Sequence, residues 1–188
     1  MAQKKVNWGR YSQLIVPVLS IVLIVVFNLF RDPGFFSVEV TTNNSGSTVL
    51  TGNLVSILNG AFVFMADICR AVSIPCEIAF MVAKSYVGSE SSGDVNIILD
   101  IDKDLSEYNV VIAEDIVDTG RTLKKVCEIL KSRSPHSFKV VSFLDKPKRR
   151  VVDFKADYVL FTIPDTFIVG YGLDYNDYFR NLPYIAEL

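Results

Sequence analysis

The sequence predicts an α/β domain, a parallel sheet flanked by helices, with an added hydrophobic helix near the amino terminus. Three observations carry that expectation. From about residue 53 onward, short apolar runs alternate with stretches of helical spacing, as strands joined by crossover helices do. One of those runs, Val110 to Ala113, meets two adjacent acids and then a Thr-Gly turn opening a helix. Before all this, residues 14–30, "LIVPVLSIVLIVVFNLF", carry no charge and sit at the lower length limit for a membrane-spanning helix. The chain is therefore read as an amino-terminal segment, residues 1–52, followed by one folded domain, residues 53–188.

Composition narrows the class. A chain of 188 residues, half of them hydrophobic, can bury a real core within one domain. The formal net charge of -2 gives no hint of a nucleic-acid surface. Cys69, Cys76 and Cys127 are widely spaced in apolar contexts, so they read as small core residues in a reducing compartment. Without zinc spacing, one histidine, His136, cannot build a metal site. There is no internal repeat and no low-complexity segment.

The elements follow in chain order. Lys4, Lys5 and Arg10 precede the hydrophobic run and Arg31-Asp32-Pro33-Gly34 ends it. No small-residue cleavage signature follows, which disfavours a removable signal peptide. With no polar face, the run reads as a membrane segment, the alternative being a buried core helix. Residues 35–52 give a short alternating segment, a polar turn at Asn43 to Ser47 and a lead into the next strand. Leu54 to Leu58 is strand-like. "AFVFMADICRAV" places Phe62, Met65, Ile68 and Val72 at helical spacing, with Asp67 and Arg70 opposite. Cys76 to Val82 returns to strand composition, and residues 88–94, "GSESSGD", form a polar loop. Val95 to Leu99 and Val110 to Ala113 are strands. A helix over about Thr122 to Ser132 puts Leu123, Val126, Cys127 and Leu130 on one face. Phe138 to Leu144, Tyr158 to Thr162 and Phe167 to Val169 complete the strands.

The chemistry concentrates in "VVIAEDIVDTGRTL", residues 110–123. Ligands of open parallel sheets sit at the carboxyl ends of strands, and Glu114-Asp115 lies at such an end. Beyond it, Thr119 to Thr122 turns into a helix whose first amides and dipole favour a phosphate. Gly120 permits close backbone approach, and the Thr119 and Thr122 hydroxyls add donors. Carboxylates would repel that phosphate, so they should meet sugar hydroxyls, a divalent ion or a proton in transit. A phosphorylated ribose with a metal satisfies all three. The bland alternative is that acids before Thr-Gly merely cap a helix; the full string is more specific than that.

This string resembles the phosphoribosyl-pyrophosphate motif of type I phosphoribosyltransferases. "LNGAFVFMAD", "SYVGSESSG", "SFLDKPKRR", "IPDTFIVGYGLDY" and "YFRNLPYI" are similar, in order, to the hypoxanthine-guanine branch of that family, over about residues 54–188. The resemblance implies the type I phosphoribosyltransferase fold and transfer of phosphoribosyl from 5-phosphoribosyl 1-pyrophosphate to hypoxanthine or guanine, giving IMP or GMP and pyrophosphate. Substrates would be phosphoribosyl pyrophosphate and a 6-oxopurine, with magnesium as cofactor and a dimer or tetramer as the assembly.

Residue by residue, the resemblance implies that Glu114 and Asp115 engage the ribose hydroxyls and that Asp118 accepts the purine imidazole proton. Asp118, Thr119, Gly120, Arg121 and Thr122 would hold the 5'-phosphate. Leu58, Asn59, Gly60 and Arg180 would contact pyrophosphate. Lys146 would donate to the purine 6-oxo group, Phe167 would stack on the base, and Ile168 would read its edge through the backbone. Asp174 would help position magnesium together with Glu114 and Asp115. Ser85, Tyr86 and the loop to Gly93 would form a lid that keeps water from competing as nucleophile. Plainer roles exist for three of these: Lys146 in a solvated basic loop, Phe167 as core, Arg180 as a surface ion-pair residue.

Two departures stand out. Asn59 occupies a position where many family members have lysine. And "FRDPGFFSVEVTTNNSGSTVLTGNLVSILN" resembles the start of a sugar-type ABC-transporter permease, so residues 1 to about 58 suggest a fused reading frame. The positive-inside rule places the amino terminus in the cytoplasm, so a single crossing would carry the catalytic domain away from its phosphorylated substrate. The expectation is a cytoplasmic active domain with a single-pass anchor; the competing one is a membrane-attached, catalytically impaired binding or regulatory protein.

Overall fold

The computed structural model describes residues 41–42, 48–49, 52–72, 76–85 and 95–188. The hydrophobic run 14–30, the turn 43–47, Tyr86 and the loop to Gly93 lie outside them. Among the described residues no helix is long and apolar enough to cross a membrane.

Two short strands, β1 (Thr41–Thr42) and β2 (Thr48–Val49), pair antiparallel. Then come β3 (Gly52–Leu58), α1 (Phe62–Ala71), β4 (Glu77–Ser85), β5 (Val95–Leu99) and β6 (Asn109–Val117). The remainder is α2 (Arg121–Lys131), β7 (Ser137–Asp145), a 3-10 turn at Pro147–Arg149, β8 (Tyr158–Thr162), β9 (Ile168–Val169) and β10 (Ala186–Glu187). The main sheet has the order β5-β4-β3-β6-β7-β8. Its pairs from β4 to β8 are parallel, whereas β5 joins β4 antiparallel with a register shift at Val82/Ala83. The expected parallel sheet therefore carries one antiparallel edge, which periodicity along a strand cannot report.

Alternate residues of the central strands supply two cores, because successive side chains point to opposite faces. Val55, Ile57, Val110 and Ile112 pack with Leu123, Val126, Cys127 and Leu130 of α2. Leu54, Val111 and Ala113 pack with Phe64, Met65 and Ile68 of α1, together with Val141, Phe143 and Tyr171. The face expected of α2 is the buried one. On α1 the expected Phe62 is 42% exposed and Phe64 is buried in its place, because the helix begins at Phe62 and its core stripe falls on Phe64, Met65 and Ile68.

β6 runs four residues further than its apolar run suggests. It keeps its pairing with β7 at Glu114↔Ser142, Ile116↔Leu144 and Val117↔Asp145. The acids thus lie within the strand's last residues and not beyond its end. Ladder hydrogen bonds hold the backbone extended even where the side chains are charged.

Phe143 joins the α1-side core across three elements, with ring centroids 5.3 Å from Phe64, 5.5 Å from Phe161 and 4.9 Å from Tyr171. Phe143→Ala should destabilise the fold by about 3–5 kcal/mol. Urea unfolding checks this; a loss below about 1 kcal/mol would mean that the cluster closes over the gap.

Candidate active site

A cleft of about 220 Å³ opens at the carboxyl ends of β3 and β6 and the amino end of α2. It is lined by Leu58 and Gly60 on one side, Glu114 and Asp115 on its floor, and Asp118, Thr119, Gly120 and Thr122 on the other. The structure thus gathers the acids, the expected anion loop and the expected pyrophosphate loop into one place.

Gly120 stands at the N-cap of α2 with φ +81, a left-handed conformation that glycine adopts freely. It brings no capping side chain to the helix, and although the Arg121 N–H donates to Thr119 Oγ1 at 3.5 Å, the dipole and the remaining first-turn amides favour an anion there. The turn is braced from behind. Val151 N–H donates to the Thr119 carbonyl at 3.1 Å, and Arg150 Nη1 donates to the Asp118 carbonyl at 2.8 Å. Arg121 is exposed.

The acids are held differently. Asp115 is buried, and its Oδ1 accepts the Ile116 N–H at 2.8 Å. Burial lifts its pKa to about 6, opposed by that amide and by Arg180, and assisted by the charge of Asp174. Glu114 as a residue is half-buried, yet its Oε2 is sealed with no hydrogen-bond partner. Burial, and secondarily Asp115, push its carboxyl well above the usual range. Two neighbouring acids in this state form a pair that accepts cationic or hydroxyl partners readily.

Asp115 also fixes the neighbouring loops by contact. A Cβ added to Gly60 would lie 1.9 Å from Asp115 Oδ2, and one on Gly172 would lie 2.0 Å from the Gly60 carbonyl. The loop after β3 therefore touches the Asp115 side chain at the end of β6 on one side and the backbone of the loop after β9 on the other. Arg180 secures the last of these. Its Nη1 donates to the Gly172 carbonyl at 2.9 Å, and its Nη2 meets Asp174 Oδ1 at 2.8 Å and Asp177 Oδ1 at 3.3 Å. Arg180 is thus an ion-pair residue, though a half-buried one aimed at the site loops. Asp174 uses its second oxygen to accept the Asp177 N–H at 2.8 Å.

On the other flank, the basic run is not simply a solvated loop. Lys146 is buried, with Nζ donating to the Thr166 carbonyl at 2.6 Å. Arg149 Nε donates to Asp118 Oδ1 at 2.9 Å, and Arg150 pairs with Asp145. Arg149 and Arg150 were not singled out by the sequence, since a KPKRR string looks like any exposed cationic stretch. Phe167 is 53% exposed and meets Tyr175 edge-on, at 5.7 Å, so it is not core. Ile168 is half-buried in β9, paired with Glu187 of the unforeseen β10. Asn59 is exposed and follows a cis Leu58–Asn59 peptide. Ser85 ends β4.

Among the described residues no group of three or more His, Cys, Asp or Glu side chains is arranged to hold a metal. The expected set of Glu114, Asp115 and Asp174 is not a cage. The sealed, unpartnered Oε2 of Glu114 and the buried Asp115 nevertheless fit a hard cation that takes one or two carboxylates and draws its other oxygens from a bound phosphate ester.

Two outcomes follow from this geometry. Gly60→Ala should destabilise by about 1–3 kcal/mol through overpacking, and the loss should shrink when Asp115→Ser is added, as contacting residues are not additive. A raised carboxyl pKa means the folded state binds the proton more tightly than the unfolded one, so this group's contribution falls as pH climbs from about 4 through about 6. Asp115→Asn should therefore raise the melting temperature at pH 7.5 by about 2–6 °C, with the gain fading below about pH 4. Melting curves across that range read both the size and the sign.

Comparison with known proteins agrees with the site. Residues 44–176 match the family model described as the phosphoribosyl transferase domain. The hypoxanthine phosphoribosyltransferase of Salmonella typhimurium is 48% identical over 146 residues, 77% of this chain and 80% of that protein. The hypoxanthine-guanine phosphoribosyltransferase of Streptococcus pneumoniae is 47% identical over 136 residues, 72% of this chain and 76% of that protein. Among solved structures, a Staphylococcus aureus hypoxanthine phosphoribosyltransferase superposes with a TM-score of 0.78 at 38% identity, covering 93% of this chain and 88% of that one. The Trypanosoma cruzi hypoxanthine phosphoribosyltransferase, in complex with the product IMP, gives 0.79 at 36% identity, covering 93% and 90%. A strand carrying paired acids, a glycine-capped helix beside them, and this degree of identity over most of the chain make it a member of the hypoxanthine-guanine phosphoribosyltransferase family.

Proposed function

We propose that the protein serves purine salvage, moving the phosphoribosyl group of 5-phosphoribosyl 1-pyrophosphate onto hypoxanthine or guanine with release of pyrophosphate. The observation that carries this reading is the cleft that joins two carboxylates to a glycine-capped helix start. Those are the partners that a ribose 5-phosphate needs.

In this reading the turn Asp118 to Thr122 binds the 5'-phosphate through backbone amides and hydroxyls. Glu114 and Asp115 receive the ribose hydroxyls, and Glu114 Oε2, sealed without a partner, gains one. Leu58, Asn59, Gly60 and Arg180 face the pyrophosphate. As the carbon–oxygen bond breaks, positive charge grows on the ribose ring, and the two acids beside it favour that charge. Magnesium, held by Asp115 and Glu114 with Asp174 nearby, would neutralise charge on the departing pyrophosphate.

The base side is set by Lys146, Phe167, Ile168 and Asp118. The Lys146 ammonium has three donors; one is taken by the Thr166 carbonyl, leaving others for a 6-oxo group. Adenine presents a donor at that position and is rejected, since a buried donor facing a donor is left unpaired. Phe167, exposed on one side, is free to stack on a purine. Asp118 accepts the imidazole proton, a modest general-base task. Ser85 and Tyr86 begin the lid. The working assembly is a dimer or tetramer. The domain acts in the cytoplasm, and residues 14–30 attach it to a membrane only in an orientation that leaves residues 53–188 on that side.

Asp118→Asn separates an enzyme from a binder of the same fold. Turnover of hypoxanthine with phosphoribosyl pyrophosphate should fall by about 10²–10³-fold, and removing magnesium with a chelator should abolish it in the unaltered protein. Phosphoribosyl pyrophosphate affinity, followed by calorimetry, should change by no more than about 3-fold. An unaltered chain that binds both substrates without turnover would refute the enzymatic reading.

A further inference from the structure

The 3-10 turn after β7 lies between the two halves of the site. Its backbone is tied to the anion side: Lys146 N–H donates to the Val117 carbonyl at 3.0 Å, and Val151 N–H to the Thr119 carbonyl at 3.1 Å. Its side chains reach both ways. Arg150 holds the Asp118 carbonyl at 2.8 Å, and Lys146 holds the Thr166 carbonyl at 2.6 Å, one residue before Phe167. Arg149 does both at once, with Nε 2.9 Å from Asp118 Oδ1 and 3.7 Å from Asp165 Oδ1.

We infer that Arg149 is a positioning residue for the base side of the reaction. It fixes the Asp118 carboxylate by one oxygen, leaving the other to meet the purine, and links that carboxylate through Asp165 to the loop carrying Phe167 and Ile168. The proposal rests on the salvage reading above.

Energetics separate this role from a structural one. The side chains of Arg149, Asp118 and Asp165 are 46%, 40% and 51% exposed, and ion pairs so wetted contribute about 0–1 kcal/mol to folding. The fold does not depend on the contact. When a flat base enters and displaces water, the same charges act across a lower dielectric and the interaction strengthens. Arg149 therefore stabilises the occupied base site far more than the empty one. Arginine suits the task because its charge is spread over a planar group: Nε donates to Asp118 while the same cation lies 3.7 Å from Asp165 Oδ1, and a lysine point charge would hold one carboxylate less directionally.

The test is steady-state kinetics of the full chain with both substrates varied, beside melting temperatures. Measurable magnesium-dependent IMP formation by the unaltered protein comes first, and its absence would indict the salvage reading rather than this inference. Given activity, Arg149→Ala should raise KM for hypoxanthine about 10-fold while KM for phosphoribosyl pyrophosphate stays within about 2-fold and the melting temperature within about 2 °C. Arg149→Lys should recover part of the loss. Asp165→Asn should act in the same direction, and combining it with Arg149→Ala should add little, as members of one network are not additive. An unchanged hypoxanthine KM, an equal rise for both substrates, or full additivity with Asp165→Asn would each overturn the assignment.

Discussion

The whole site hangs on one packing constraint: the Asp115 carboxylate lies where a side chain of Gly60 would be, and the Gly60 carbonyl lies where one of Gly172 would be. Three segments distant in sequence therefore meet with no room for a Cβ atom. Such contact fixes relative position far more tightly than a hydrogen bond between flexible side chains, since close-packed atoms transmit small displacements directly. Arg180 reinforces it, joining the Gly172 carbonyl to Asp174. Gly170 repeats the device one step out, where an added Cβ would fall 2.0 Å from the Tyr184 carbonyl. The carboxyl-terminal segment is thereby held against the loop, and Leu188 N–H donates to the Phe167 carbonyl at 3.0 Å. Phe167 has a fixed backbone and an open ring.

The same constraint sets the electrostatics. Burying Asp115 beside Glu114 raises both carboxyl pKa values, which is unfavourable for the empty fold at neutral pH and useful when a cation or a cation-like sugar ring arrives. Arg180 opposes the shift only in part, because it is shared with Asp174 and Asp177. A fully compensated pair of acids would be more stable and would have less left to offer a substrate. The tolerance for this strain comes from the two apolar cores on either side of β3 and β6, where Phe143, Phe64 and Tyr171 interlock on one face and α2 seals the other.

Much of this was legible in the sequence, for identifiable reasons. β5 and β8 follow from their strand-like composition, and the buried face of α2 follows from helical periodicity, because that face meets one kind of environment. The acid string of β6 stood out because its chemistry is crowded into a few consecutive residues. What periodicity missed depends on partners elsewhere in the chain. β6 continues through Glu114 to Val117 because β7 supplies a ladder, a fact no local window holds. Phe64 displaces Phe62 because Phe143 lies opposite. Gly60 was read only as part of the pyrophosphate loop, and its packing role appears only once Asp115 is seen beside it and Gly172 behind it. Arg149 and Arg150 read as solvent-facing until the turn folds back on Asp118 and Asp145.

That turn makes a general point about how a two-substrate site stays coherent. The phosphate end is built on the rigid junction of β6 and α2, whereas the base end is built on residues 163–167, an irregular connection leading into the two-residue β9. Something must set the distance between them. Backbone hydrogen bonds do part of this, with Ile163 N–H donating to the Asp145 carbonyl at 2.9 Å and Lys146 N–H to Val117 at 3.0 Å. These bonds are local to the strand ends and leave the outer part of the base loop to its side-chain ties. A buried lysine on Thr166 and an arginine shared between Asp118 and Asp165 extend the control outward to the ring that meets the base. Cations suit the position because both loops present carbonyls or carboxylates toward it, and because a neutral spacer of equal length would leave those oxygens unpaired as the base expels water.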